Sequence, residues 1–265
     1  MTAAAASGLR VERDGPVLRV VIDRPRRMNA FDLAHMRALL EVLIAVPGDD
    51  SVRVVVIAGA GAAFSTGADL AAMAEGERDG SGPVSPEVVM DAANSVIRAI
   101  VDLPVPVIAE VPGAAAGVGA SIAVAADLAY AAESAYLLLA FVNVGLMPDG
   151  GSTALISASV GRARAARMAL LGERLPADEA LRAGLIAGVL PEAELSGHVA
   201  AVAHRLASGP RRAIELTKRA LTAVTLDRLD AAMAAETRGQ CELLVGPEFA
   251  EGATAMLQHR PPSFP

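Results

Sequence analysis

Residues 105–151 read VPVIAEVPGAAAGVGASIAVAADLAYAAESAYLLLAFVNVGLMPDGG. Val105 to Glu110 is an apolar, β-branched run bounded by prolines and too short for a globular helix, so it is expected to be a buried strand. Pro112 and Gly113 end it. Ala114 to Ala126 then offers almost only small residues, with Gly117 and Gly119 where a helix would begin. Glycine allows close backbone approach and unusual torsions. The first turn of a helix carries free N–H groups and a partial positive charge that stabilise an anion. For this stretch alone, a small-residue helix packed tightly in a core is the competing reading.

A second stretch of the same kind lies upstream. Val52 to Ala58 is another apolar β-branched strand, and it leads into residues 59–75, GAGAAFSTGADLAAMAE, where Gly67 and Ala68 are expected to open a second small-residue helix. Two strand-to-helix turns can each aim one amide at a common point. A pair of N–H groups, at Ala68 and Val118, is what a developing oxyanion on a carbonyl requires.

Composition bounds the rest. A length of 265 residues with 53% hydrophobic content allows one large domain, or a domain with an appendage, around a substantial core. The formal net charge of −7 argues against nucleic-acid binding through a broad basic surface. Any anionic ligand must be met locally. Cys241 is the single cysteine, which rules out an intrachain disulfide, leaves a metal-thiolate site unsupported and points to a reducing compartment. The opening MTAAAASGLR has neither a basic region nor a true apolar segment, so it is expected to be a loose tail rather than a secretion signal. The longest uncharged run, Val111 to Ala126, is too short and too rich in Ala and Gly for a membrane span. A cytoplasmic protein follows as the expectation, with no membrane partner.

In chain order, Val11–Asp14 and Val17–Ile22 form an expected hairpin. Asp32 is a candidate N-cap for a helix with Leu33, Met36, Leu40 and Leu43 on one face, ended by Pro47 and Gly48. Glu75 to Pro86 has the Gly, Ser, Pro and charge content of a loop. Val88–Leu103 is expected to be helical. After Asp127 come a strand through Tyr130, an apolar run over Tyr136–Val144, a helix over Ser152–Val160 and a basic amphipathic helix over Arg162–Leu171. A helix within Pro176–Ala187 takes Gly184 as its C-cap. From Glu192 the pattern is helical, in three segments: His198–Ser208, Arg211–Thr225 and Leu226–Leu244. The expected division is a core over residues 1–195 and a helical region over residues 196–265.

Six segments, RPRRMNAF, FSTGADL, VPGAAAGVGASIAVAADL, GLMPDGGST, LLGERLPADEALRAGLIAGVL and EGATAMLQHRPPSF, occur in an order that covers nearly the whole chain. As an ordered set they resemble the crotonase superfamily, the enoyl-CoA hydratase and isomerase family. The resemblance implies an α/β crotonase-like (ClpP/crotonase) spiral of repeated ββα units, with a C-terminal helical region that completes a homotrimer or a dimer of trimers. It implies an acyl-CoA thioester as substrate, coenzyme A being part of that substrate, and neither a separate cofactor nor a metal. The thioester oxygen would lie against Ala68 and Val118. Ser65, Asp69 and Leu70 share the first turn. Arg24 and Arg26 stand where the family loop lies beside adenosine, although a solvated basic loop accounts equally well for each arginine. Met73 and Met90 fall in the region that lines the acyl pocket, with core packing as the alternative. Phe141 and Met147 would wall the reaction site, and Lys218 and Arg260 match basic positions near the nucleotide. His259 stands where the family usually has a lysine.

Hydratases of the family carry two glutamates that hold and activate water. Here those positions are Ser121 and Phe141. The four histidines, His35, His198, His204 and His259, lie outside these turns, so a serine nucleophile has no base. One carboxylate remains, Asp149 in GLMPDGGST. Before Gly150, Gly151 and Ser152 it has the form of an ordinary N-cap. By the resemblance it is the acid-base residue of the isomerases, moving a proton from carbon 2 to carbon 4 of a 3-enoyl-CoA through a dienolate. An apolar pocket would raise its pKa, which suits both transfers. The segment also resembles the ring-epoxide isomerases of phenylacetyl-CoA breakdown. A hydratase with unusual residues, and an acyl-CoA-binding protein without chemistry, remain as rival readings. Asp69 and Asp127 are assigned helix-start or structural roles.

Overall fold

The computed structural model describes residues 8–73 and 84–264. Most of the loop expected at Glu75–Pro86, and most of the N-terminal tail, lie outside the described residues. The chain opens with a hairpin of β1 (Leu9–Asp14) and β2 (Val17–Ile22), followed by α1 (Leu33–Ala45). Asp32 caps α1 by accepting the His35 N–H at 3.0 Å. Its buried face is Met36, Leu39 and Leu43; Leu40, placed on that face from the sequence, is only half-buried.

Three strand-strand-helix units follow. In the first, β3 (Val54–Gly59) leads to β4 (Ala63–Ser65) and then to helical residues 70–73. After α2 (Pro86–Asp102), the second unit is β5 (Val107–Val111), β6 (Ala114–Ala116) and α3 (Val118–Ala125). The third is β7 (Leu128–Ala132), β8 (Tyr136–Leu138), a 3₁₀ turn at Ala140–Val144, and α4 (Ser152–Leu171), which kinks where Gly161 leaves helical geometry at φ +74°. Phe141, in the apolar run over Tyr136–Val144, lies on this 3₁₀ turn.

In each unit the first strand joins a six-stranded sheet of order β1-β2-β3-β5-β7-β10, and the second joins a four-stranded sheet of order β4-β6-β8-β9, where β9 is Arg174–Pro176 and β10 is Gly188–Leu190. From β2 to β10 the large sheet is parallel. Its central strands are buried on both faces, which is why Val54–Ala58 is a continuous apolar run rather than an alternating one and Val107–Val111 is interrupted only by Glu110, which pairs with Arg19. The repeated ββα spiral is thus present in the topology.

After α5 (Ala177–Arg182) the chain turns helical, as four helices rather than three: α6 (Glu192–Ala207), α7 (Arg211–Thr225), α8 (Leu229–Leu243) and α9 (Pro247–Leu257). A division at residue 195 cuts through α6. That helix packs on β2, β3, β5, β7 and β10, burying Leu195, Val199 and Ala203, so it belongs to the core. Among the described residues no helix is long and apolar enough to cross a membrane.

Lys218 of α7 is a correction to the sequence reading. Its ammonium is buried, stands 2.8 Å from Asp127 Oδ2, and donates to the carbonyls of Ile100 (3.1 Å) and Val105 (3.2 Å). All three donors of an ammonium are thereby used and none is left for a phosphate. Asp127 Oδ2 also accepts the Val107 N–H at 2.7 Å, so the cluster ties α7 to the end of α2 and the start of β5. Removing the ammonium leaves two buried carbonyls without this donor, at a cost of about 2 kcal/mol, while the exposed Asp127 turns to solvent. Lys218→Met is expected to lower the unfolding free energy by that amount in denaturant titrations while leaving acyl-CoA affinity, measured by calorimetry, unchanged.

Candidate active site

The first two units bring their connections into contact. Gly67 takes φ +91°, and a Cβ there would stand 2.9 Å from the Ala116 oxygen and 3.5 Å from the Val118 nitrogen. Gly117 takes φ +54°; a Cβ on it would lie 3.6 Å from Gly67 Cα and 4.0 Å from Cζ of the buried Phe141 ring. Only residues without a Cβ let the two turns press together in these conformations.

Ala68 does not begin a helix, as the sequence suggested. It forms an isolated parallel bridge with Phe31, in which the Phe31 N–H donates to Gly67 O (2.7 Å) and the Asp69 N–H donates to Phe31 O (2.8 Å). The ladder uses the amides on either side and leaves the Ala68 N–H without an acceptor among the described residues, on an exposed residue. Val118 is the first residue of α3, so its N–H has no intrahelical acceptor. Two free amides thus flank the Gly67–Gly117 contact.

Around the first turn, Ser65 is buried; its Oγ accepts the Gly67 N–H at 3.2 Å, and its backbone lies where a Cβ on Gly119 would collide. It shapes the turn from beneath rather than facing a ligand, which corrects its assignment as a substrate contact. Asp69 is also buried: Oδ1 caps the helical residues by accepting the Ala72 N–H (3.0 Å), and Oδ2 lies 3.1 Å from Arg24 Nη2. Arg24, expected at the nucleotide, is held here instead, with its Nη1 donating to Ala30 O at 2.5 Å. Asn29, unremarked in the sequence, is fully buried and stitches the arginine loop to β4 by donating to Ala60 O (2.9 Å) and Ala63 O (2.7 Å). Leu70 is half-buried and Met73 exposed, whereas Met90 is in the core. Arg260 is engaged on the surface by Glu251, whose carboxyl it holds at about 2. Of the four cations put forward for coenzyme A, Arg24, Arg26, Lys218 and Arg260, only Arg26 carries no ion pair among the described residues; it is exposed.

The third unit delivers Asp149 to the same place. Ser121, three residues into α3 from Val118 and hence about 5 Å along its axis, donates from Oγ to the Asp149 backbone oxygen at 2.9 Å. Its Cβ stands 3.0 Å from where a Cβ on Gly150 would sit, and Ile97 of α2 closes the other side at 3.5 Å. Asp149 is not the cap of α4. The first turn of that helix is capped from α8: Glu236 Oε2 accepts the Gly151 N–H (2.7 Å), and Oε1 accepts the Thr153 N–H (3.0 Å) and hydroxyl (2.5 Å). Freed from capping, Asp149 Oδ2 accepts one bond from Gln240 Nε2 (2.7 Å), whose Oε1 in turn accepts the Met147 N–H (3.2 Å). Asp149 Oδ1 is shielded from solvent and has no partner among the described residues. Leu229 and Met233 wall the loop at Gly151, while the Met147 sulfur packs on Gly239 of α8.

Burial therefore dominates the chemistry of Asp149. It pushes the carboxyl up to about 7, against the bond from Gln240, with the nearby Glu236 charge pushing the same way as burial. Glu236 is itself raised by burial, which its bonds from Thr153 and Gly151 oppose. A carboxyl with this value exchanges protons readily near neutrality.

The whole chain is similar to proteins of one family. Residues 12–265 match the family model described as enoyl-CoA hydratase/isomerase. The chain is 39% identical to a probable enoyl-CoA hydratase of Rhodobacter capsulatus over 92% of this chain and 93% of that one. It is 35% identical to the 1,2-epoxyphenylacetyl-CoA isomerase of Escherichia coli, over 94% of each. The crystal structure of an enoyl-CoA hydratase from Mycobacterium avium subsp. paratuberculosis superposes with a TM-score of 0.89 at 44% identity, covering 97% of this chain and 98% of that one. The chain belongs to the enoyl-CoA hydratase/isomerase family of the crotonase superfamily. It is an enzyme of that family, acting on acyl-CoA thioesters.

A carboxyl whose pKa is raised on folding stabilises the fold only while protonated. For Asp149 the difference is absent below the ordinary value of 3.8, grows between there and about 7, and is complete above. Asp149→Asn removes the buried charge and keeps an acceptor for Gln240. In thermal unfolding the variant is expected to gain on the wild type as pH rises through this window, by up to about 4 kcal/mol, and the gap is expected to close in acid.

Proposed function

We propose that the enzyme shifts the double bond of a 3-enoyl-CoA into conjugation, giving the 2-enoyl-CoA. The thioester oxygen sits between the N–H groups of Ala68 and Val118. Asp149 takes a proton from carbon 2, the negative charge spreads onto the thioester oxygen as a dienolate, and the same carboxyl returns the proton at carbon 4. The steps balance without a second base, a metal or a cofactor. Arg26 is the cation at hand for a phosphate of coenzyme A. The exposed Leu216, Leu221 and Val224 of α7 support association of copies as a trimer or a dimer of trimers.

One observation carries the reading: a half-buried carboxylate whose Oδ1 is shielded and without a partner among the described residues, with a pKa pushed up to about 7, on a loop bonded to the helix that Val118 opens. Among the described residues the only other carboxylate bonded to the loop, Glu236, is occupied as a helix cap. Ser121, at a position where hydratases carry glutamate, is a structural donor to the Asp149 carbonyl. The name of the Escherichia coli relative favours isomer chemistry and that of the Rhodobacter relative favours hydration. The two readings separate on substrate: 3-enoyl-CoA converted to the conjugated ester, against 2-enoyl-CoA converted to the 3-hydroxy ester.

Two variants test the roles. Asp149→Asn is expected to lower kcat for isomerisation by roughly a hundred- to ten-thousand-fold with acyl-CoA affinity retained; full activity would end the acid-base assignment. Val118→Pro deletes one amide hydrogen at a position where a helix accepts proline. Its kcat is expected to fall by about a hundred- to a thousand-fold, the usual effect of losing one oxyanion donor, with the far-ultraviolet circular dichroism unchanged.

A further inference from the structure

The arginine and aspartate cluster behind Ala68 is absorbed by the first turn, and the open apolar groove between α1, α2 and α8 shows nothing of an occupant. The side chains of α8 that face Asp149 carry more. Gln240 and Glu236 lie one turn apart on α8, more than eighty residues from the loop they hold, and both are almost fully buried, at 1% exposure each.

We propose that Gln240 and Glu236 are positioning residues that hold the catalytic loop by Asp149 Oδ2 and by the Gly151 and Thr153 amides, leaving Oδ1 as the one atom that carries the shuttled proton. The inference rests on the isomerase reading for the word shuttle, and on geometry alone for the rest. A carboxylate that moves a proton between two carbons must keep one oxygen over the substrate throughout. With Oδ2 tied to the Gln240 amide, which is itself held by the Met147 N–H, rotation that would exchange the two oxygens must break the Gln240 bond. The Glu236 carboxylate fixes the peptide that follows, at both ends of the first turn of α4.

The same two residues act oppositely on the charge of Asp149. The Gln240 amide donates to the ionised form and favours it; the Glu236 carboxylate repels it. No other titratable group faces the carboxyl among the described residues: α8 brings Glu236 and the neutral Gln240, α3 brings the neutral Ser121, and α2 brings the apolar Ile97. Removing one partner at a time should therefore move the titration of Asp149 in opposite directions, a signature that loss of mere packing does not have.

The experiment is a carbon-13 titration of full-length protein labelled at aspartate carboxyls, with the Asp149 signal identified by its loss in Asp149→Asn. The wild-type midpoint is expected near 7, Gln240→Met is expected to move it up, and Glu236→Gln to move it down. In parallel, the acid limb of the kcat/KM profile on 3-enoyl-CoA is expected to follow the same order, and kcat of Gln240→Met to fall by up to about a hundredfold with KM little changed, as for a reacting group displaced by an ångström. Midpoints that stay put, or that move together, overturn the proposal. Should Gln240→Met fail to fold, as thermal unfolding would reveal, Glu236→Gln alone decides, since its midpoint must fall. Wild-type protein that titrates as expected but turns over no 3-enoyl-CoA refutes the isomerase reading and leaves the positioning of Asp149 by α8 in place.

Discussion

The contact between the Gly67 turn and the Gly117–Val118 turn is the constraint on which the site depends. Each unit of the spiral sends one strand to the large sheet and one to the small sheet, and then reverses into a helix. Because β4, β6 and β8 are neighbours in the small sheet, the three reversals stack side by side. Each contributes one chemical group: the Ala68 amide, the Val118 amide and the Asp149 carboxyl. None of the three is carried by an elaborate side-chain constellation. Two are backbone N–H groups, whose placement is exact only because Gly67 and Gly117 let the chains approach without a Cβ between them.

The third group is costly to place. A carboxylate out of water is disfavoured unless it is paired, and Asp149 is given one amide bond where four lone-pair sites are available. The neighbouring Glu236, more deeply buried, is satisfied by three donors at a helix start, where the partial positive charge favours an anion. The two carboxyls thus divide the local hydrogen-bond donors unequally. The generous share makes Glu236 a structural anion, and the meagre share leaves Asp149 poised between its two protonation states. Stability is given up at one residue so that it can give and take a proton at neutral pH.

Much of this is legible in the sequence, and the parts that are not have a common cause. The paired strand-to-helix turns and the aspartate were visible because glycines and a lone carboxylate stand out locally. Strands β4, β6 and β8 span three residues each, too few for an alternation to register, so the second sheet went unseen. The cations misled for the opposite reason: Lys218 and Arg24 look available in a sequence, yet burial turns them inward onto carbonyls and carboxylates. Glu236 and Gln240 did leave a trace. They follow Leu229 and Met233 at intervals of three and four residues, on the core-facing stripe of α8, where a charged and an amide side chain are out of place. A buried polar pair on an apolar stripe needs a partner elsewhere, and only the fold shows that the partner is the loop after β8.

That trace changes what the C-terminal region is for. Read as an appendage that joins copies together, residues after 195 would be separable from the chemistry. In the structure α6 lies on the large sheet and α8 caps α4 and grips Asp149, so the region completes the site within a single chain. The spiral alone supplies two amides and a flexible Gly-Gly connection bearing the aspartate. It holds the backbone of that aspartate through Ser121 but makes no bond to its carboxyl, and the two residues that follow are the ones with the widest backbone freedom. The helix that returns from the far end of the chain removes the freedom: it fixes the peptide after the glycines and one carboxyl oxygen before them. What the spiral leaves unheld at the Asp149 carboxyl, α8 holds at Oδ2.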